Sequence, residues 1–267
     1  MQKYCFLILF IILGNLSFGQ NLQRMQIWQD SLFNLGQKIF SSTSDVERIE
    51  SNFLFVKTLV SALKESNSYY FNFDQLKMIS TIKSPDDTFR VFSWNVPMQD
   101  GSYLYYGSIQ KKAGDLRLIP LMDKTFQIPK VNSSVLNNTE WYGAQYYEII
   151  PYQKGTYLLL GWKGHNAKES KKVIEVLRFT NDNTIQLGGH IFSDDKEAAR
   201  KIFTYAKEAS MFLQFQKAEN RIVFDHLVEL ETESTKIKVP DLTHNAYLLE
   251  NPSLKLVENV LVLNVEN

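Results

Sequence analysis

Residues 141–162 read Trp141-Tyr-Gly-Ala-Gln-Tyr-Tyr-Glu-Ile-Ile150, Pro151-Tyr-Gln-Lys-Gly155 and Thr156-Tyr-Leu-Leu-Leu-Gly-Trp162. Two aromatic, β-prone runs flank a short linker that holds Pro and Gly, which is the signature of a hairpin. Few polar side chains interrupt either run, so both faces of this hairpin are expected to be covered. That places it in the middle of an antiparallel sheet.

Working outward from it, period-two segments recur at close spacing. Upstream, residues 88–96 and 102–110 read as strands joined at Asp100-Gly101, a tight-turn pair. Residues 115–121 make a third strand, and 123–139 form the longest expected loop, rich in Asn and Ser. Downstream, 171–180 and 184–192 pair across Asn181-Asp-Asn183. Strands are expected at 200–207, 211–217 and 221–230, then a loop-rich return over 231–251 and a last strand from 254. Before residue 66 the period changes to that of a helix. Leu22, Met25, Trp28, Leu32, Leu35 and Ile39 form one stripe, and Val46, Ile49, Phe53, Val56, Val60 and Leu63 form another. Ser41-Ser-Thr-Ser44 separates them, and Ser44 with Glu47 makes a capping box. The expected fold is α+β: an antiparallel helical hairpin (21–66), then a body (88–267) of about ten strands in an antiparallel meander that can close toward a barrel, all in one domain from residue 21 onward.

Residues 1–20 read as a signal peptide. Lys3 supplies the basic start, 4–13 is an unbroken apolar run, and Ser17-Phe-Gly19 offers small residues for cleavage. The run is too short to span a bilayer, and no later run is long enough either, so the mature chain is expected to be exported, periplasmic or extracellular, without a membrane span. The only cysteine, Cys5, lies inside this segment. The mature chain therefore has no thiol for catalysis, disulfides or metal ligation. The whole sequence has 29 basic and 29 acidic residues and no basic stripe, which argues against nucleic-acid binding.

Catalytic signatures are absent from the sequence: there is no nucleophile elbow, phosphate loop or dinucleotide fingerprint. The four histidines, His165, His190, His226 and His244, lack metal-ligand spacing, so neither metal nor cofactor is expected. Glu148, Asp225 and Asp241 are available as paired carboxylates for glycoside cleavage, with no spacing that favours them. The aromatic content of 13% is the better lead. Trp94, Tyr105, Trp141, Tyr147 and Trp162 fall on adjacent expected strands, and an exposed row would suit stacking on a glycan or another flat ligand, oriented by Arg90 or Asp225. The competing and favoured expectation is ordinary sheet packing. Lys163, Lys168, Lys171 and Lys172 form a basic cluster expected to lie in a solvated loop. Asp225 and His226 are adjacent, so strand alternation sends them to opposite faces: His226 with Ile222, Phe224, Val228 and Leu230, Asp225 with Val223 and Leu227. A carboxylate in an apolar row needs a donor, expected from an Arg, Lys, Tyr or backbone amide on a neighbouring strand or on 231–251.

Phe89-Arg-Val-Phe-Ser-Trp-Asn95, Trp141-Tyr-Gly-Ala-Gln-Tyr-Tyr147, Leu160-Gly-Trp162, Phe224-Asp-His-Leu227 and Pro240-Asp-Leu242 occur together in this order. In that order they resemble a family of uncharacterised exported proteins of Bacteroidota. The likeness runs from about Leu76 to the C-terminus and implies an export route but no activity. Relatives carry Gly before the Pro-Asp pair and Tyr-Asp after it, where this chain has Val239 and His244-Asn245. The expected function is a non-enzymatic binding or envelope-associated role, with a hydrolase of envelope or extracellular polymers as the alternative.

Overall fold

The structure, a computed structural model, describes the backbone of residues 2–113, 116–181, 184–231 and 236–262, and within those ranges the side chains from residue 21 onward. Two compact units divide the chain. One comprises Met1–Met78 with Lys111–Arg117, and the other Ile79–Gln110 with Leu118–Asn267.

In the first unit, α1 (Gln2–Ser41) and α2 (Asp45–Leu63) form the expected antiparallel pair, tied by Arg24 and the Trp28 indole N–H, which both reach the Glu65 carboxylate. The Ser44 hydroxyl accepts the Glu47 amide as a cap, but the return half of the capping box runs through Ser42. Its hydroxyl bonds the Glu47 carboxylate at 2.6 Å and the Ser44 amide at 3.0 Å. On α1 the stripe holds at Met25, Leu32 and Ile39, which are buried. The expected stripe on α2 is corrected. Asn52, Phe55, Leu59, Ala62 and Leu63 are buried, whereas Val46, Ile49 and Phe53 are exposed. The unbroken run Phe53-Leu-Phe-Val56 supports two adjacent stripes equally, and periodicity cannot choose between them.

The second unit carries antiparallel sheets. β1 (Ser80–Lys83), β2 (Phe89–Pro97), β3 (Tyr103–Lys111) and β4 (Arg117–Met122) lie in sequence order. β5 (Leu136–Asn137), β6 (Gln145–Gln153), β7 (Thr156–Gly164), β8 (Glu169–Phe179) and β9 (Ile185–Leu187) form a sheet of order β5-β9-β8-β7-β6, with β10 (Lys201–Ala206) added beside the first half of β8. β11 (Leu213–Gln216), β12 (Arg221–Glu231), β13 (Lys236–Leu249) and β14 (Leu254–Val257) form the last sheet. These sheets are open, so closure toward a barrel does not occur among the described residues. The Asp100-Gly101 turn forms as expected, with Gly101 at φ +83°, a backbone region that suits a residue without Cβ.

The β6–β7 hairpin is covered on both faces. Leu159, Val173 and Leu177 pack with Phe89, Val91 and Tyr105 in one core, while Leu158, Leu160, Ile174 and Val176 pack with Leu213, Ile222 and Phe224 in the other. Full burial of each such aliphatic side chain contributes about 1.5–3 kcal/mol. A side chain at Gly161 would meet the Tyr146 ring at 2.9 Å, so the hairpin requires glycine there.

Two departures from simple alternation matter below. The expected loop over 231–251 is instead largely β13, paired with β12 from Arg221↔Leu248 to Glu231↔Lys236. Pro240, Asp241, Asn245 and other weak strand formers disguise it. The ladder is interrupted where they lie: His226 alone faces residues 241–243, and Pro240, which has no N–H to donate, sits at the edge of that break. The second departure is a register shift in β6 between Tyr146 and Glu148, which leaves Tyr147 as an extra residue opposite β7.

Candidate functional site

The register shift in β6 and the edge strand β11 build one groove. In β6 the shift at Tyr147 turns both Tyr147 and Glu148 toward β11, where strict alternation would part them. The Tyr147 hydroxyl donates to the Leu213 carbonyl at 2.9 Å, and the Phe215 amide donates to Glu148 Oε2 at 3.3 Å. From the opposite side, the Phe212 amide donates to Asp225 Oδ2 at 2.7 Å. Side chains of two sheets therefore hold the backbone of 212–215 between them. The space above is an open groove of about 880 Å³, lined by Tyr147, Glu148, Lys172, Phe212, Phe215 and Asp225 among others.

Burial dominates the electrostatics. It pushes the Glu148 carboxyl above the usual carboxylate range, partly offset by the Phe215 amide. It pushes the Tyr147 phenol up and the Lys172 ammonium down. The Lys172 ammonium lies 4.6 Å from the centre of the Tyr147 ring, a cation–π contact, and forms no ion pair among the described residues.

Asp225 and His226 take part in two crossed pairs between β12 and β13. Asp225 Oδ1 lies 3.2 Å from His244 Nε2, and His226 Nδ1 lies 2.9 Å from Asp241 Oδ2. His226 and Thr243 hold Asp241 down to about 2. The expected donor to Asp225 is thus present as the Phe212 backbone amide, and His244 on β13 adds to it. The expected face of His226 is corrected. His226, at the ladder break, is exposed, Leu230 is also exposed, and half-buried Leu227 packs against the core that holds Ile222 and Phe224. A second, smaller opening of about 240 Å³ lies on the other side of Asp225, lined by Phe203, His226, Leu227, Lys238 and neighbours.

The remaining aromatic candidates do not reach this groove, and the packing expectation holds for most of them. Arg90, Trp94, Tyr105 and Trp141 are all buried. The Arg90 Nε donates to Gln110 at 2.8 Å, its guanidinium lying over Phe92. Trp94 stacks on Tyr106, and the Trp141 indole N–H donates to the Tyr146 hydroxyl at 2.9 Å. The Tyr105 hydroxyl donates to the Gly164 carbonyl at 3.3 Å, and burial pushes its phenol up. Trp162 is half-buried with its ring edge-to-face against Tyr103. Of the eight candidates, Tyr147 and Asp225 line the main groove, and Asp225 and His226 line the smaller opening.

Two buried ionic sites were not foreseen. Lys163, expected in a solvated loop, is buried. Its ammonium donates to the Gly143 carbonyl at 2.6 Å and to the Thr125 hydroxyl at 3.0 Å, against the Tyr105 and Tyr142 rings, and burial lowers it to about 8. Lys172 likewise leaves the expected loop for the groove, since β8 begins at Glu169. Glu175 and Arg200 form an ion pair at 2.8 Å with both side chains fully buried. Arg200 also donates to the carbonyls of Val131, Ser134 and Leu187, which pins the 123–139 loop. The signal for this pair was a lone Glu inside the apolar run of β8. Among the described residues no helix is long and apolar enough to cross a membrane, and no three His, Cys, Asp or Glu residues gather as a metal site. No family model, curated protein or solved structure matches the chain.

Proposed function

We propose that this chain is an exported, non-enzymatic binding protein and that the groove over β11 holds its ligand. The observation that carries this is the Lys172 ammonium at the groove wall, stacked on Tyr147 and without an ion-pair partner among the described residues. The carboxylates around it are engaged, Glu148 with the Phe215 amide and Asp225 with the Phe212 amide and His244. Flat apolar surfaces beside an ammonium without an ion-pair partner among the described residues suit a ligand that joins an apolar face to an anionic group. Export follows from the segment of residues 1–20, so protein purified from its native envelope begins at Gln20 or Asn21; recovery of Met1 on that material refutes it. The binding site is tested with soluble fragments of bacterial envelope polymers in a thermal-shift assay. A ligand present at 100 times its Kd stabilises by about 2.7 kcal/mol, so the shift is large, and Lys172→Met is expected to abolish it. An undiminished shift in that variant refutes the assignment.

One observation favours the hydrolase alternative. Glu148 and Asp225 come from different sheets to one groove, and burial raises the Glu148 carboxyl. A carboxyl raised by burial, facing the same groove as a second carboxyl, is the kind of pair that glycoside cleavage uses. To act, Glu148 would have to release the Phe215 amide and Asp225 the Phe212 amide. Reducing ends released from an oligosaccharide by the native protein, and lost in Glu148→Gln, decide for the hydrolase; binding that survives Glu148→Gln without product decides for the binder.

A further inference from the structure

Asp225 belongs to both openings, the groove over β11 and the smaller one beside β10. They also meet across the sheet. Lys172 in the first and Phe203 in the second are directly opposite in the β8–β10 ladder, so their side chains stand together on one face. The floor is therefore continuous from Tyr147 through Lys172 to Phe203, whose ring packs against Phe224 with centroids 4.7 Å apart.

The floor carries carboxylates as well as lysines, and the carboxylates have partners within the protein. Asp225 is engaged by His244 and the Phe212 amide, Glu148 by the Phe215 amide, and His226 is engaged by Asp241. Lys238 stands opposite Glu229, whose carboxylate turns to Lys236 instead. Each opening thus contributes one lysine that forms no ion pair among the described residues. Each also offers apolar surface, from Tyr147 and Phe215 in the first and from Phe203 and Leu227 in the second.

We infer that the ligand is an anionic oligosaccharide that lies across both openings, its C–H faces on the rings and its acid groups toward Lys172 and Lys238. This rests on the binding function proposed above. A peptide added as a strand is disfavoured, because the outward edge of β11 is already occupied: the Leu213 carbonyl holds the Tyr147 hydroxyl, and the Phe215 amide holds Glu148. Sugar hydroxyls need no such edge and can donate to the remaining lone pairs of Glu148 and Asp225.

The test is titration calorimetry of the mature chain with galacturonate oligomers of two, four and eight units, neutral N-acetylglucosamine oligomers of equal length, and poly-glutamate. Affinity is expected to rise at least about tenfold from the dimer to the octamer, with neutral oligomers weak at every length. Phe203→Ala and Lys238→Met, the latter at an exposed residue, should remove the gain with length. Lys172→Met should lower affinity at every length. Equal affinity at all lengths overturns the spanning ligand while leaving the β11 groove in place. Preference for poly-glutamate, or for neutral oligomers, or no binding of galacturonate at any length, overturns the ligand class. Binding indifferent to Lys172→Met overturns the groove itself.

Discussion

Replacing Asp225 with alanine removes the carboxylate that holds the start of β11. The Phe212 amide bond to Oδ2 is short, at 2.7 Å, and its acceptor is a carboxylate oxygen. Hydrogen bonds to charged groups contribute about 1.5–3 kcal/mol net, and a partner left unsatisfied costs about 1–3 kcal/mol when buried. Here Phe212 is half-buried at an open groove, so water can replace part of the loss. The low end applies, and Asp225→Ala should destabilise by about 2 kcal/mol. Asp225→Asn keeps one acceptor oxygen, which can serve the Phe212 amide or face His244 but not both, and should cost about 1 kcal/mol. Urea denaturation followed by tryptophan fluorescence measures both, with hydrogen exchange at Phe212 as the local readout. Exchange there should quicken in the alanine variant and much less in the asparagine variant. An alanine variant within about 0.5 kcal/mol of the native chain, with slow exchange at Phe212, would show that Asp225 does not hold this segment.

Three further outcomes follow from buried groups. Arg200→Met strands the Glu175 carboxylate in the core and should cost about 3–5 kcal/mol, whereas the double change with Glu175→Leu should recover much of it; a double variant as unstable as the single one contradicts this account. Lys163 titrates near 8 when folded against 10.5 as the ordinary value, so between those values the unfolded chain binds more protons and stability rises with pH, by about 3 kcal/mol at most. Lys163→Met should flatten that rise, and identical pH profiles for the two proteins count against the buried ammonium. On α2, Phe55→Ala should cost about 3–5 kcal/mol and Phe53→Ala less than about 1 kcal/mol, as measured by denaturation midpoints; the reverse order would restore the stripe expected from periodicity.

Local chemistry wrote much of this architecture into the chain. The Asp100-Gly101 turn, the cap at Ser44 and the twice-covered hairpin around Pro151 each depend on residues a few positions apart, and each appears where the pattern puts it, whereas the sheet begins at Ser80, ahead of the expected residue 88. Sequence also showed that Asp225, set in an apolar row, must find a donor. The face of α2, the existence of β13 and the geometry of the groove were settled only by packing. Phe53-Leu-Phe-Val56 admits two faces until a partner surface selects one. Residues 236–249 form a strand because β12 offers a ladder, not because their own preferences are strong. The breaks at Tyr147 and His226 depend on the register between strands, which period two within one strand does not encode. The pairs Asp225 with His244 and Glu175 with Arg200 join residues on different strands, and only the folded chain brings those charges within reach of each other.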